Sequence, residues 1–456
     1  DQVEAGKMTD YGLLGEYLAA KYPFAAFFDG KQIDYDTFSI RSGVNIGAFF
    51  VGFDEECEKV FSAAVANNQF IKIADGGVAE VKKVKYFLFG KDENVFESLG
   101  KGVLRYKKSN LEETGEYAFL PDEPCDASYF QVEEFDEKFF ESLSEKFYGG
   151  KNDLNFIFAK GKDEEESRAL TEKLLEEKKR KKLENVIIFA LCENFCQDKI
   201  CGNDVCKSDF CGDKSLIFAG NVPDGFEETT ERFAVLRNAY YDLQYDVSHG
   251  KKVEGGGQKA IEEAREKFSK KVGIDRKSSV YGCLSLRSKL AFLGLDFAKG
   301  EKGISEEEFF EIYAGDDLPD FEKFGAEVCG KKIINYDGGL KENTKRFYAA
   351  VQEHARWNAF YLAEGYLPAK TKDVFEETAE KNGKKVFTNG KNADEKRHGN
   401  LTTFAGLKEF AKGVAARDGV SADERDVIRY DYQILDDAYF MLLSLGYGIV
   451  RKGGRK

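Results

Sequence analysis

The segment Ile46-Gly-Ala-Phe-Phe-Val51, which ends at Gly52, indicates the fold class of this 456-residue chain. It is short and apolar, and the segment 54–65 that follows has the apolar spacing of a helix behind Asp54, a residue type that caps helix N-termini. A buried strand, a glycine turn and a capped helix together form a βα unit. This stretch therefore predicts an α/β fold.

Apolar runs of the same kind recur at 84–89, 128–132, 153–159, 185–190 and 215–219. Helical patterns separate the five strands up to 190, including the charged segment 163–182, whose acidic start and basic end complement a helix dipole, and a polar segment that contains cysteines precedes the run 215–219. Strands that alternate with helices form parallel sheets covered on both faces. Beyond residue 221 the patterns are mostly helical, and the stretches with the best amphipathic spacing are 227–243 and 279–293.

Charge and composition exclude some classes of partner. The chain has 68 Lys and Arg against 82 Asp and Glu, a net charge of −14, and no compact basic patch, so nucleic acid is not expected as its main partner. No apolar run approaches the ~20 residues that cross a bilayer, so we expect no membrane segment in this chain, although the sequence leaves open what precedes Asp1. The odd count of 9 cysteines favours reduced thiols and a cytoplasmic location.

Four of the cysteines recur every five residues, at 196, 201, 206 and 211. Structural zinc sites use C-x-x-C hairpins, which this spacing lacks, so free thiols are favoured over a metal site, which two short strands would still permit. The sequence contains no Walker loop, no G-x-S-x-G elbow and no H-E-x-x-H motif. Hydrolase chemistry therefore has no support, and an enzyme is not favoured.

The first half of the chain resembles the TrkA-N or RCK type of Rossmann domain, a nucleotide-binding regulatory module of potassium-transport systems. The resemblance rests on the order of Val51-Gly-Phe53, the segment 131–139 and the segment 156–165. It implies a G-x-G-x-x-G turn, but only Gly52 matches, since Asp54 and Cys57 replace the other glycines. Carboxylates at this helix start predict a turn closed to NAD, and Asp92, after the second strand, is the acid placed to reach a ribose. The resemblance also implies a homodimer.

The segment 351–366 contains the only Trp of the chain. On a helix, Glu353, His354, Trp357 and Asn358 share one face, which can stack a planar ring and hydrogen-bond its edge. This segment resembles the RyR domain, the repeat named after ryanodine receptors, through an E-H-x-x-W motif. The stretches His398-Gly-Asn-Leu401 and 445–449 extend the resemblance, with Gly399 in place of the usual Pro.

The RyR resemblance implies a nucleotide-like ligand and, in bacteria, fusion to TrkA-N domains in proteins of ligand sensing or antiviral defence. We expect the ligand to lie between Trp357 and the segment Arg429, Tyr430 and Asp431, with His354 and Asn358 reading its edge and with His398 nearby. The alternatives are that Trp357 is a packing anchor and that 429–431 is a surface salt-bridge face. No cofactor is assigned with certainty.

The sequence thus predicts an N-terminal extension (1–44), a Rossmann-like domain (45–220), a helical connecting region (221–340) and an all-helical RyR-like domain (341–456). The expected function is that of a ligand-sensing regulatory protein, in antiviral defence or ion-transport regulation. One alternative is an NAD-dependent enzyme with a degenerate Rossmann loop. The other is a protein-binding scaffold or effector subunit.

Overall fold

The computed structural model describes residues 10–192, 215–252, 256–322, 327–328, 330–337 and 339–453. Its largest sheet has six parallel strands, which are β1 (Ile46–Val51), β2 (Lys85–Gly90), β3 (Asp126–Gln131), β4 (Leu154–Ala159), β5 (Val186–Ala190) and β6 (Leu216–Phe218). Their order across the sheet is β6-β5-β4-β1-β2-β3. This is the arrangement of doubly wound dinucleotide-binding folds. The predicted Rossmann-like α/β sheet is confirmed, with each of the six strands close to its expected position.

Stacked rings explain why these strands pair. All six residues of β1 are buried. The ring centroids of Phe50 and Phe158 lie 4.4 Å apart, and those of Phe158 and Phe189 lie 4.7 Å apart, across the neighbouring strands β1, β4 and β5. On the other face, Phe49 stacks on Phe87 at 4.6 Å. Cross-strand aromatic pairs of this kind stabilise a sheet beyond the area that they bury.

The helices of the first half are α1 (Tyr11–Lys21), α2 (Glu55–Asn67), α3 (Asn94–Leu99), α4 (Lys108–Glu112), α5 (Glu137–Glu145) and α6 (Glu164–Lys181), with a 3-10 turn at Phe24–Phe27. Four of them begin behind an Asp whose side chain accepts a hydrogen bond from a backbone N–H of the first turn: Asp10 for α1, Asp54 for α2, Asp136 for α5 and Asp163 for α6. The helix α1 lies in the predicted N-terminal extension and packs on α2.

The helices of the second half are α7 (Phe226–Ser248), α8 (Gly256–Ser269), α9 (Gly273–Leu284), α10 (Leu286–Ala291), α11 (Glu306–Tyr313), α12 (Lys345–Ala363), α13 (Thr371–Glu376), α14 (Phe404–Asp418), α15 (Ala422–Arg425), α16 (Arg429–Asp436) and α17 (Ala438–Ser444). An antiparallel strand pair, Leu295–Lys299 with Tyr447–Arg451, joins the predicted connecting region to the C-terminal region. Short two-stranded pairs complete the fold: Ile33–Asp34 with Ser39–Ile40, Phe70–Ile73 with Ala79–Lys82, Glu327–Val328 with Lys331–Lys332, and Leu367–Pro368 with Arg397–His398.

The C-terminal region is not all-helical, which corrects the expectation from the sequence. A hairpin pairs Thr378–Lys381 with Lys384–Phe387, inside a stretch that has the composition of a polar loop. Its turn residues, Asn382 and Gly383, both have positive φ, at 53° and 71°. An Asn-Gly pair adopts this geometry with little strain and matches the twist of a hairpin.

Residues from all four predicted segments share one hydrophobic core. Leu14, Phe50, Tyr240 and Ile434 belong to the same buried cluster, although they come from the extension, the sheet, the connecting region and the C-terminal region. The predicted domain boundaries therefore do not separate independent cores, and their positions stay a prediction. Among the described residues, no helix is both long enough and apolar enough to span a membrane.

Candidate functional site

The turn after β1, where a Rossmann fold seats a pyrophosphate, packs closely against the backbone that follows the neighbouring strand. Gly52 has a φ of +85°, and a Cβ built on it would lie 1.6 Å from the carbonyl oxygen of Lys160. Lys160 directly follows β4, so these two residues face each other where the strand order reverses. Ligands of doubly wound sheets bind in this crevice. Here the glycine accommodates the protein's own backbone.

The Lys160 side chain is buried beside the start of α2. Its ammonium donates a hydrogen bond to Asp54 and lies 3.0 Å from a carboxylate oxygen of Glu56. Burial alone would lower the pKa of Lys160, but the two carboxylates raise it above its usual value. The ring of Tyr11 packs against the same ammonium, at 5.1 Å. The positive charge that might attract a phosphate is therefore already paired.

Asp92, the predicted ribose contact, lies in the exposed loop after β2. One carboxylate oxygen accepts a hydrogen bond from the backbone N–H of Asn94, at 2.8 Å, and another from the Asn94 side chain. Its backbone carbonyl accepts a hydrogen bond from the Tyr129 hydroxyl. The carboxylate thus organises the turn before α3.

A cavity of about 320 Å³ lies between helices α7, α9, α12 and α16 and the loop before Asn400. This volume falls in the range of small-molecule sites. Six of the predicted site residues line it, namely Glu353, His354, Trp357, His398, Tyr430 and Asp431. The wall also includes residues that the sequence did not single out, among them Arg237, Asn238, Tyr241, Lys271, Asp275, Tyr361, Lys391 and Gln433. We call this space the α12 cavity.

Aromatic rings concentrate along the α12 side of this cavity. The half-buried Trp357 lies with its ring centroid 4.5 Å from that of Tyr361 and 5.0 Å from that of His398. The ring of His354 is nearly parallel to that of Trp357, with an interplanar angle of 15°. Burial raises the pKa of Tyr361, so its hydroxyl stays protonated at neutral pH. Such a group of rings can hold a planar ligand by stacking.

His398 presents a hydrogen-bond donor. Its Nδ1 accepts a hydrogen bond from the backbone N–H of Asn400, at 3.1 Å. Burial, with smaller contributions from Lys391 and His354, lowers the pKa of His398 well below its usual value, so the ring is neutral. A neutral ring that accepts at Nδ1 carries its hydrogen on Nε2. Within the described part of the chain, no residue accepts a hydrogen bond from this Nε2.

Asn358 belongs to a different wall. Its amide donates to the carbonyl of Thr402 at 2.9 Å, beside His354, whose Nε2 lies 2.8 Å from the same oxygen. Asn358 lines a second cavity of about 530 Å³ between α12, the start of α14 and the hairpin 70–82. His354 lines both cavities. The predicted pairing of His354 and Asn358 on one ligand edge therefore does not occur in the α12 cavity.

Glu353 is the centre of a buried ion cluster behind the rings. Arg356 donates two hydrogen bonds to it, at 2.9 and 3.0 Å, and the ammonium of Lys289 lies 2.7 Å away. Burial would raise the pKa of Glu353, but these cations hold it at about 2. The Nη1 atom of Arg356 is buried and finds no hydrogen-bond partner among the described residues. The predicted ligand contact at Glu353 is thus a charge already bound within the protein.

Arg429, expected to supply a positive charge, lies outside the α12 cavity wall. Its guanidinium donates to the backbone carbonyls of Asp426 and Asp423 and so fastens the start of α16. Arg237 of α7 supplies a charge instead. No sequence motif around Arg237 distinguishes it from other arginines on amphipathic helices. Arg237 reaches the cavity only because α7 packs against α9.

Metal binding has no candidate among the described residues, since no group of three or more His, Cys, Asp or Glu is placed to hold an ion. The four evenly spaced cysteines, 196, 201, 206 and 211, lie outside the described residues. The described cysteines Cys57, Cys125, Cys192 and Cys283 are buried and form no disulfide.

Comparisons with known proteins add no relative. No protein-family model, curated protein or solved structure matches the chain. The sheet defines the class as Rossmann-like α/β, and the function is argued from the site alone.

Proposed function

We propose that this protein is a ligand-sensing regulatory protein that binds a nucleotide-like molecule in the α12 cavity. The observation that carries the proposal is the convergence of Trp357, Tyr361 and His398 on one wall of that cavity. These rings supply stacking surface, and the Nε2–H of His398 supplies a directional donor to the edge of a base. A C-terminal RyR-like domain is part of the proposal, because the motif residues Glu353, His354 and Trp357 line the same cavity.

A sensor fits these features better than an enzyme does. The nitrogen Nε2 of His354 points at the Thr402 carbonyl, and the Glu353 carboxylate is bound by two cations, so neither group is available as a general base. At the Gly52 turn, the Lys160 ammonium is already bound by Asp54 and Glu56, so it is not free to hold a dinucleotide phosphate. The groups of this site are suited to ligand binding rather than to catalysis. The resemblance to TrkA-N and RyR proteins suggests that ligand binding regulates antiviral defence or ion transport.

The fluorescence of Trp357 tests the proposal directly, because it is the only Trp of the chain. Adenine and guanine nucleotides, ADP-ribose and cyclic dinucleotides are titrated while emission and acrylamide quenching are followed. A ligand in the α12 cavity should change the emission and protect Trp357 from the quencher. Stacking is worth about 1–3 kcal/mol per base, so calorimetry should show binding that is from about fivefold to about 150-fold weaker for Trp357→Leu.

Arg429→Ala is the matched control, since it removes a nearby charge that does not line the cavity. It should leave the affinity within about twofold of the unaltered protein. Mass spectrometry of small molecules released from the heat-denatured protein identifies a co-purified ligand independently. If no member of the panel alters emission or quenching, and no nucleotide is released, the proposal fails.

A further inference from the structure

Arg237 carries a positive charge that the protein itself does not pair. It lies in the middle of α7, is partly exposed, and lines the α12 cavity. Within the described residues its guanidinium has neither a hydrogen bond nor an ion pair. A guanidinium remains charged at every physiological pH and offers five donors in a planar fork. Such a group suits a bidentate acceptor such as a phosphate.

The neighbouring helix is shaped to leave room for this guanidinium. Gly282 lies inside α9, and a Cβ built on it would come within 2.5 Å of Nη1 and 2.8 Å of Cζ of Arg237. Glycine is unfavourable inside a helix, because it loses more conformational freedom on folding than any other residue. The position of the Arg237 head group therefore depends on the absence of a side chain at Gly282.

A second unpaired donor faces the same space. Gln433 lines the α12 cavity and is only 6% exposed, and its amide nitrogen finds no acceptor among the described residues. Buried donors without partners are rare in native proteins, and an anion would satisfy both Gln433 and Arg237.

The carboxylates of the cavity wall make their direct contacts with groups other than Arg237, although Arg237 helps to lower the pKa of Glu353 and opposes the burial that raises the pKa of Asp437, in both cases from beyond ion-pair distance. Asp431 is paired with His354, and Asp437 is paired with Lys331. Asp275 accepts a hydrogen bond from the Tyr361 hydroxyl, at 3.4 Å. Glu353 is shared by two other cations. Although the chain has a net charge of −14, the wall of the α12 cavity thus contains a guanidinium and a buried amide donor that have no direct acceptor among the described residues.

We propose that Arg237, with Gln433 lining the same cavity, binds a phosphate group of the ligand, so that the ligand class is a phosphorylated nucleoside rather than a free nucleoside or base. This inference rests on the proposed function for the ring-binding end of the α12 cavity. It places the anionic end of the ligand against α7 and α16, away from the helix start at Gly52.

Matched pairs of ligands that differ only in phosphate provide the test. Adenosine with AMP, guanosine with GMP and cytidine with CMP are titrated against the full chain by calorimetry, and inorganic phosphate is titrated separately. We expect at least one nucleotide to bind ten times more tightly than its nucleoside. Arg237→Gln should remove that preference and leave nucleoside affinity within twofold.

Two further variants keep the test informative. Gly282→Ala should reduce the nucleotide preference through displacement of the Arg237 head group, with that arginine still present. Arg232→Gln, an exposed arginine on the same helix, should change nothing. Thermal unfolding of each variant checks that the protein remains folded. If Arg237→Gln does not fold, Gly282→Ala and inorganic phosphate decide the question.

The outcomes separate the two proposals. A nucleoside that binds as tightly as its nucleotide, or a phosphate preference that survives both Arg237→Gln and Gly282→Ala, overturns the inference and leaves the proposed function standing. Inorganic phosphate that binds through Arg237, together with no response to any base, supports the anion site and overturns ring recognition. If no ligand in the panel binds, both proposals are overturned.

Discussion

The imidazole Nδ1 of His354 lies 3.3 Å from a carboxylate oxygen of Asp431, in the wall between the two cavities. Because the carbonyl of Thr402 can only accept, Nε2 of His354 must carry a hydrogen. The Nδ1 atom of His354 has the Asp431 carboxylate as its neighbour on the other side of the ring. Burial raises the pKa of Asp431, and His354 opposes that rise.

Removal of the carboxylate at Asp431 should lower the free energy of unfolding, because His354 then loses the partner of its Nδ1 atom. Asp431→Ala leaves the Nδ1 of His354 buried without a partner, which costs about 1–3 kcal/mol of unfolding free energy. Asp431→Asn can still donate to a neutral Nδ1 and should lose less than half as much. Urea denaturation of both variants measures this difference, and equal losses would contradict the pairing.

Glu353→Gln should be among the most destabilising single changes in the α12 wall. It leaves Arg356 and Lys289 buried without their counter-charge, a loss of about 3–5 kcal/mol. Addition of Lys289→Met to the same chain removes one uncompensated cation and should restore part of the stability. Denaturant unfolding measures all three proteins.

The Glu353 effect should also depend on pH. The folded pKa is about 2 against an ordinary 4.5, so the carboxylate stabilises the fold above pH 4.5, and this contribution is lost as the pH falls from 4.5 to 2. The difference in unfolding free energy between the unaltered protein and Glu353→Gln should therefore shrink in acid. A difference that stays constant between pH 7 and pH 3 would contradict the ion cluster.

Glu16 of α1 predicts a pH dependence of the opposite sign. Burial raises its pKa from 4.5 to about 7, although the nearby Lys277 opposes the rise. The folded protein therefore holds a proton that the unfolded chain has released, and the free energy of unfolding falls as the pH rises from 4.5 to 7, by at most about 3 kcal/mol. Glu16→Gln should abolish this part of the slope in urea titrations at several pH values.

Gly52→Ala should destabilise the sheet far more than a comparable change in an open turn. It combines a left-handed φ with a steric overlap on Lys160, and we expect a loss of about 3 kcal/mol or more. Gly43→Ala and Gly76→Ala have similar φ values and nothing within 4 Å, so they isolate the strain at about 1 kcal/mol. Thermal unfolding compares the three variants. Similar losses would mean that the close approach to Lys160 does not matter.

NAD should not bind at the Gly52 turn. In Trp357→Leu, where the α12 cavity is impaired, calorimetric titration with NAD and NADH should show no saturable heat at micromolar protein. Binding that persists in this variant and weakens when Lys160→Met is added would place a dinucleotide at the turn after all.

The local pattern of the chain was enough to predict the sheet strands, because each is a short apolar run, and those at β1, β3 and β4 are followed by a helix with an Asp cap. The replacement of two Rossmann glycines by Asp54 and Cys57 was visible in the sequence, whereas the close approach of the Lys160 backbone to Gly52 was not. The closure of this turn to NAD stays a prediction. The hairpin at Asn382-Gly383 shows that a strong turn signal is easily overlooked where the flanking strands are exposed and polar.

The sequence predicted cavity residues on α12, at His398 and at Tyr430 and Asp431 of α16, but none on α7. The motif around Trp357 is contiguous, so its residues are visible together, and Tyr361 lies four positions after Trp357 on the same helix. Arg237 and Gln433 reach the cavity through helix packing that no local pattern encodes. Arg429 was predicted to bind the ligand because of its positive charge. Its guanidinium instead donates hydrogen bonds to backbone carbonyls of the loop before α16. The homodimer stays a prediction, to be measured by light scattering over a range of concentrations.

The pairing of Leu295–Lys299 with Tyr447–Arg451 has a kinetic consequence. The residue after this second strand, Lys452, donates a hydrogen bond to the carbonyl of Ala25, which lies 427 positions away along the chain. Contacts between such distant positions contribute no stabilising free energy until the intervening chain has closed into a loop. Folding of this protein should therefore be slow for its size and limited by loop closure. Local opening of this strand pair would also loosen the segment that covers the sheet, so amide exchange at Leu295–Lys299 and at Phe24–Phe27 should rise and fall together.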